Sequence, residues 1–275
     1  MGGIYALTSM GLNLQYGVAK VLNVSHGEFI MYGGFITWAL FGLGVHPFIA
    51  LILICPITFF AGFILHRTLY ERLRTVSKIP AVFESNAMLL AFGSMFILQN
   101  VATHLWGADA VGYVFMARPV NIGPSVFQAN RLLALAFAIV IAILFYLFTI
   151  KTRLGKSIRA TSQDPVAARL MGINIKTIMA VCFGIGAILA GIAGTLMSMY
   201  QALFSSMGMS NTIIAIIIVV LGGMGSIPGS LIGGLILGIV GTTVVTFLDP
   251  SLTLVVFYGI IIILLLVRPK GLLGR

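Results

Sequence analysis

The chain has 275 residues, of which 60% are hydrophobic and 8% charged, with a mean hydropathy of +1.13. Soluble domains carry roughly 25% charged residues, so this composition describes an integral membrane protein and excludes most soluble enzymes. The net charge of +10, from sixteen basic and six acidic residues, would suggest a nucleic-acid partner in a soluble chain; in one this apolar it reflects Lys and Arg gathering in short cytoplasmic loops, and no nucleic acid is expected.

A bilayer crossing takes about 20 apolar residues. Apolar runs and their breakers place spans at about 3–22, 27–45, 47–66, 83–105, 131–150, 177–200, 205–222, 228–248 and 251–267. The expected fold is an all-α polytopic membrane protein of about eight or nine spans with broken segments. The N-terminus lacks the charged region of a cleavable signal, so the first apolar segment is expected to remain. One transmembrane domain over 1–275 leaves no room for a soluble one.

Basic residues cluster at Arg67, Arg72, Arg74 and Lys78, at Lys151, Arg153, Lys156, Arg159, Arg169 and Lys176, and at Arg268, Lys270 and Arg275. All three clusters can share the cytoplasmic side, which puts the C-terminus inside, the N-terminus outside, and the longest external loop at about 106–130.

Two segments interrupt apolar runs: Asn23-Val24-Ser25-His26-Gly27-Glu28 and Gly222-Gly223-Met224-Gly225-Ser226-Ile227-Pro228-Gly229. Broken helices survive at membrane depth only where freed backbone groups face protein or a watery cavity. Asn23, His26, Gly27 and Glu28, with Gly222, Gly223 and Gly225 opposite them, are therefore candidates for a translocation pathway or gate. Asn13 belongs with them, whereas the other intramembrane amides, Gln15, Asn86, Gln99 and Asn100, read more readily as bridges between helices. Glu28 borders a long uncharged run, where a carboxylate is costly unless paired or wetted; Lys20 and His26 are its candidate partners. The glycines of 229–238 and 191–194 have the small-residue spacing of closely packed helices.

Catalytic patterns fail. Leu154-Gly155-Lys156-Ser157 lacks the earlier glycine of a phosphate-binding loop, the histidines are scattered, and no two carboxylates are spaced as acid and base. No catalytic residue, metal site or cofactor bound by this chain is expected. The informative polar stretch lies in the most basic loop, 151–176, where Asp164 is a good N-cap, Pro165 suits the first helical position and Gly172 suits a left-handed C-cap. The enclosed two turns cannot stand alone in water, and Leu170 and Met171 suit a docking groove.

Val166-Ala167-Ala168-Arg169-Leu170-Met171-Gly172 resembles the Glu-Ala-Ala-x-x-x-Gly loop by which ABC importer permeases engage their ATPases, with Val166 in place of the glutamate. Together with Gly11 to Val18, Asn23 to Glu28, Ile97 to Asn100, Leu105 to Asp109, Val220 to Gly229 and Arg268 to Gly274, it makes nearly the whole chain similar to the branched-chain amino acid ABC transporter permeases of the LivH type. The resemblance implies a non-enzymatic pore subunit in a prokaryotic cell membrane. Its partners would be a homologous permease, two cytoplasmic ATPases that use ATP and Mg, and an extracytoplasmic binding protein. It further implies that Asp164, Pro165, Ala167, Ala168, Arg169, Leu170, Met171 and Gly172 couple the chain to the ATPase. Permeases for urea and short amides share this resemblance, and an ion-driven carrier centred on Glu28 is the reading from another class.

Overall fold

The structure, a computed structural model, describes residues 1–77, 79–122 and 125–274; Lys78 and Arg275 of the basic clusters lie outside them. Among the described residues nine long helices occupy the nine expected segments: α1 (Gly2–Ala19), α2 (His26–Gly42), α3 (Pro47–Leu65), continued through a π-helical turn (His66–Tyr70) into α4 (Glu71–Val76), then α5 (Pro80–Trp106), α6 (Ala129–Lys151), α9 (Ile175–Ser198), α10 (Met207–Gly222), α11 (Ile227–Phe247) and α12 (Thr253–Val267). Two short helices, α7 (Arg153–Gln163) and α8 (Pro165–Leu170), fill the basic loop. Among the described residues six helices are long and apolar enough to cross a membrane, and Met207–Gly222 is a shorter apolar one.

Helix ends follow local chemistry. Pro begins α3, α5, α8 and α11 at the first or second helical position, where its missing N–H costs nothing. Thr152, Asn174 and Ser226 cap α7, α9 and α11 with side-chain oxygens that accept backbone N–H groups. Before α12, Asp249 accepts from both the Ser251 hydroxyl and its N–H, which holds the carboxyl below the usual carboxylate range.

The all-α expectation needs one addition. In the 106–130 loop, β1 (Pro119–Ile122) and β2 (Ser125–Gln128) pair antiparallel, and Val111 bridges Leu203. Outside the apolar helices these backbone groups find partners in a hairpin instead.

Two helices form the centre. Most of α1 is buried, and in α9 78% of the apolar stretch is buried against 6% for Pro250–Val267, so α12 lies at the rim. Glycines let backbones meet: Gly11 against Gly186, Gly33 against Gly191, Gly194 against Ile30, Gly234 against Ala6 and Gly238 against Gly2. In each pair an added Cβ would run into backbone, so the small-residue spacing is close packing as read.

The basic clusters converge on one end of the molecule. Lys176 meets Glu71, Arg74 donates to the Ala19 carbonyl, Ile158 of α7 packs in the cluster that holds Val18, and Leu272 and Leu273 donate to the carbonyls of Leu221 and Gly222. The 119–128 hairpin leads into α6, whose Asn130 bonds the Met199 carbonyl at the far end of α9.

Candidate functional site

The first break is a re-entrant turn. Lys20 ends α1 in the left-handed conformation, at φ 57°. The chain then climbs back beside α1 so that α2 starts near the middle of that helix: His26 lies 3.0 Å from the Thr8 carbonyl, and its ring touches the space over Gly11. Since a carbonyl only accepts, the His26 Nε2 carries the donated proton.

Asn23 holds the turn together. Its Nδ2 donates to Gln15 Oε1 (3.2 Å), and its Oδ1 accepts from the Ser25 hydroxyl (2.6 Å), the Ser25 N–H (3.2 Å) and the Tyr70 hydroxyl (3.3 Å). Gln15 Nε2 donates onward to the Phe183 carbonyl of α9. The Gly27 N–H donates to Thr212 Oγ1, which itself donates toward the Val24 and Gly208 carbonyls. The Ser25 and Gly27 N–H groups and the Val24 carbonyl thus meet a side chain from α10 or the neighbouring Asn23 amide, as membrane depth demands.

Glu28 sits in the first turn of α2 with 1% of its surface exposed, its carboxyl laid over Gly208 of α10, and Oε2 finds no partner among the described residues. The expected pairing with Lys20 or His26 is therefore corrected. Two residues along a helix are turned by about 200°, so His26 faces α1 while Glu28 faces α10; Lys20 is exposed and lies over the Tyr16 ring. The Nδ1 of His26 is likewise buried without a partner among the described residues. Both groups carry unmet polar demand inside the helix packing.

The second break is gripped by Asn13. Its Oδ1 accepts from the Gly225 N–H, and its Nδ2 lies within hydrogen-bond reach of the Gly223 carbonyl (3.2 Å), the Ser226 carbonyl (2.9 Å) and the Ser230 hydroxyl. Gly223 and Gly225 adopt φ of 101° and 88°, the left-handed region open to glycine. Gly222 packs its backbone on Gly229, and the C-terminal stretch 271–274 lies over Gly223.

The expectation that the two breaks face each other is also corrected. Asn13 and Gln15 point about 200° apart around α1, so the breaks flank that helix on opposite sides. The two following helices, α2 and α11, both lead away from the end bearing the basic clusters, as a parallel arrangement requires.

In the basic loop the expected helix is present, ending one residue early at Leu170 with Met171 at its C-cap. Asp164 Oδ1 accepts from the N–H groups of Val166 (2.8 Å) and Ala167 (3.0 Å). At the other end Gly172 takes φ 80°, its N–H donates to the Arg169 carbonyl, and the Ile173 N–H donates to the Ala168 carbonyl. That paired closure is a Schellman motif, and Ile173 seats it against the core. Ala168 is buried, whereas Leu170 and Met171 are 84% and 83% exposed and Val166, Ala167 and Arg169 also face outward.

Thr212, Ser230 and Tyr70 carry no mark in the sequence analysis, and Ser226 figures there only as part of the second break. A hydroxyl residue inside an apolar run was the available signal for Thr212, but its partner, the break before α2, is 185 residues away. Among the described residues no group of three or more His, Cys, Asp or Glu could hold a metal ion.

A family model described as branched-chain amino acid transport system / permease component matches residues 1–265. The chain is 32% identical to the high-affinity branched-chain amino acid transport system permease protein BraD of Pseudomonas aeruginosa, over 100% of this chain and 93% of that protein. It is 29% identical to the permease protein LivH of Escherichia coli strain K12, over 100% of this chain and 92% of that protein. The permease protein LivM of the same organism is 26% identical, over 98% of this chain and 68% of that protein. No solved structure matches.

Proposed function

The chain belongs to the family of branched-chain amino acid transport system permease components, and on that premise we propose that it is one half of the membrane pore of an ATP-driven importer for branched-chain amino acids. A second, homologous permease completes the pore, two ATPases complete the assembly with one of them docked on α8, and an extracytoplasmic binding protein delivers the substrate. The end bearing α7, α8 and the three basic clusters faces the cytoplasm, and the chain sits in the cell membrane of a prokaryote with its N-terminus outside.

The observation that carries this reading is α8. A six-residue helix has no stability of its own in water, yet this one is capped at both ends and presents Leu170 and Met171 to solvent. That is the build of a ball for a socket. Closure of the ATPases then moves α8 as a rigid body, provided each state makes its own contacts. Asn13, Asn23, His26, Gly27, Glu28, Gly222, Gly223 and Gly225 organise the two breaks that respond. Selection among substrates rests largely with the binding protein, and the chain itself performs no catalysis and holds no cofactor.

The test is purification of the tagged chain from native membranes in mild detergent, followed by reconstitution of what co-purifies. Recovery of a second permease and two nucleotide-binding proteins, with ATP-dependent leucine uptake when the binding protein is added, is expected. Recovery of this chain alone with uptake intact would overturn the reading, and ATP-driven uptake of urea or short amides in place of leucine would overturn the substrate.

A further inference from the structure

We propose that Lys176, Glu71 and Tyr70 form a mechanical link that carries displacement of α8 to the break between α1 and α2. The proposal rests on α8 being the ATPase-docking helix.

The link starts where α8 ends. Only residues 171–174 separate α8 from α9, and they are held by the Schellman closure and by Asn174, whose Oδ1 accepts the Thr177 N–H. A push on α8 therefore arrives at the first turn of α9, which carries Lys176. Lys176 Nζ lies 2.7 Å from Glu71 Oε1, the one ion pair among the described residues. Of six acidic residues in a chain of net charge +10, one is spent on joining the docking side to the helix that continues α3.

Glu71 is the residue at which the π turn gives way to α4, and its N–H donates to the His66 carbonyl five residues back. Immediately before it, Tyr70 is 2% exposed, packs with His66 and Phe183, and donates its hydroxyl to Asn23 Oδ1. Arg74, one turn later, donates to the carbonyl of Ala19, the last residue of α1. Residues 70–74 thus touch the break at its start and in its middle, and the docking side through one charge.

A π turn is a one-residue insertion in an α-helix, and such turns recur at functional sites. Slipping it by one residue re-aims the side chains beyond it by about 100°, since an α-helix turns 3.6 residues per revolution. It is therefore an element with two discrete arrangements, the physical requirement for transmitting a change between distant sites. Glu71 is 13% exposed and Lys176 is 58% exposed, so the pair adds little to folding. Its value lies in position.

The experiment uses the complete transporter in proteoliposomes and reads substrate taken up per ATP hydrolysed. Glu71→Lys and Lys176→Glu are each expected to lower that ratio about tenfold, a typical coupling free energy, with assembly and ATP hydrolysis retained, and the double exchange should restore most of it. Glu71→Gln and Lys176→Gln, which introduce no like-charge repulsion, should lower it in the same direction. An unchanged ratio in these neutral variants, or a double exchange no better than either single one in assembled complexes, would overturn the link. Leu170→Glu separates the two levels of argument: if it uncouples while the Glu71 and Lys176 variants do not, the link fails and the docking role of α8 stands. If Leu170→Glu also leaves the ratio unchanged, the docking role itself fails.

Discussion

Truncating Leu170 and Met171 to Ala tests the docking role of α8 quantitatively. Their exposures of 84% and 83% leave nearly the whole of each side chain available to a partner. Burial is worth about 0.8 kcal/mol per methylene, so losing the three heavy atoms beyond Cβ costs about 2 kcal/mol at each position if the ATPase groove encloses them. At 1.4 kcal/mol per tenfold, each substitution weakens docking roughly 30-fold and the pair about a thousandfold, less whatever the two neighbours share. Folding should change little, because both side chains are exposed and α8 is capped by the Asp164 carboxylate and by backbone bonds that the truncations leave in place. Titrating the purified ATPase against the membrane subunits in detergent measures the effect directly, with a matched Gln163→Ala variant, also exposed, as reference. A double variant that binds the ATPase within twofold of wild type would refute the burial argument and with it the docking surface.

Three further substitutions address the breaks. Asn13→Ala strips the second break of its side-chain partner and leaves the Gly225 N–H unbonded; at about 1–3 kcal/mol per orphaned group, thermal unfolding in detergent should come several degrees earlier, and an unchanged midpoint would show that the break does not depend on α1. Gly27→Ala drives a methyl into the Gly208 carbonyl and the Thr212 hydroxyl, an overpacking expected to cost about 1–3 kcal/mol or more, read as lower membrane levels and a lower unfolding midpoint. Glu28→Gln keeps the shape but removes the carboxylate whose Oε2 is unpartnered among the described residues; uptake is expected to fall at an unchanged membrane level, since an acidic group at this depth is too costly to keep for packing alone. Full uptake would reduce Glu28 to a packing residue.

The helices were legible because uncharged runs separated by Gly, Pro and basic residues leave few ways to place a span, and α8 was legible because Asp164, Pro165 and Gly172 are local signals acting over a few residues. The site was only half legible. Asn23 and Glu28 stood out as polar residues in an apolar setting, but which face each occupies depends on the start of α2, and that start is set by contacts with Thr8 and Thr212, far away in sequence. The sequence therefore offers Glu28 partners near it in the chain, whereas its carboxyl lies against Gly208. The π turn left no trace in the sequence at all: His66 and Tyr70 take their places by stacking on Phe183 of α9, a tertiary effect without a propensity signature.

The placement of the breaks on opposite faces of α1 bears on how the chain can move. Through Gly11, Gly234 and Gly238, α1 meets α9 and α11 backbone to backbone, and such contacts have no side chains that could repack. The later turns of α2 join them, since Gly33 and Ile30 meet Gly191 and Gly194 of α9 in the same way, and the four helices behave as one body. The joints at the break and the start of α2 are of another kind, made through side-chain hydroxyls, an imidazole and amides: Thr212 to Gly27, His26 to Thr8 and Asn23 to Gln15. Hydrogen bonds of this sort exchange partners at modest cost, whereas interlocked glycine backbones do not. The first break is thus the compliant part, and the α1–α9–α11 unit with the later turns of α2 is the frame it works against. The second break, held by Asn13 and covered by 271–274, is fastened to that frame.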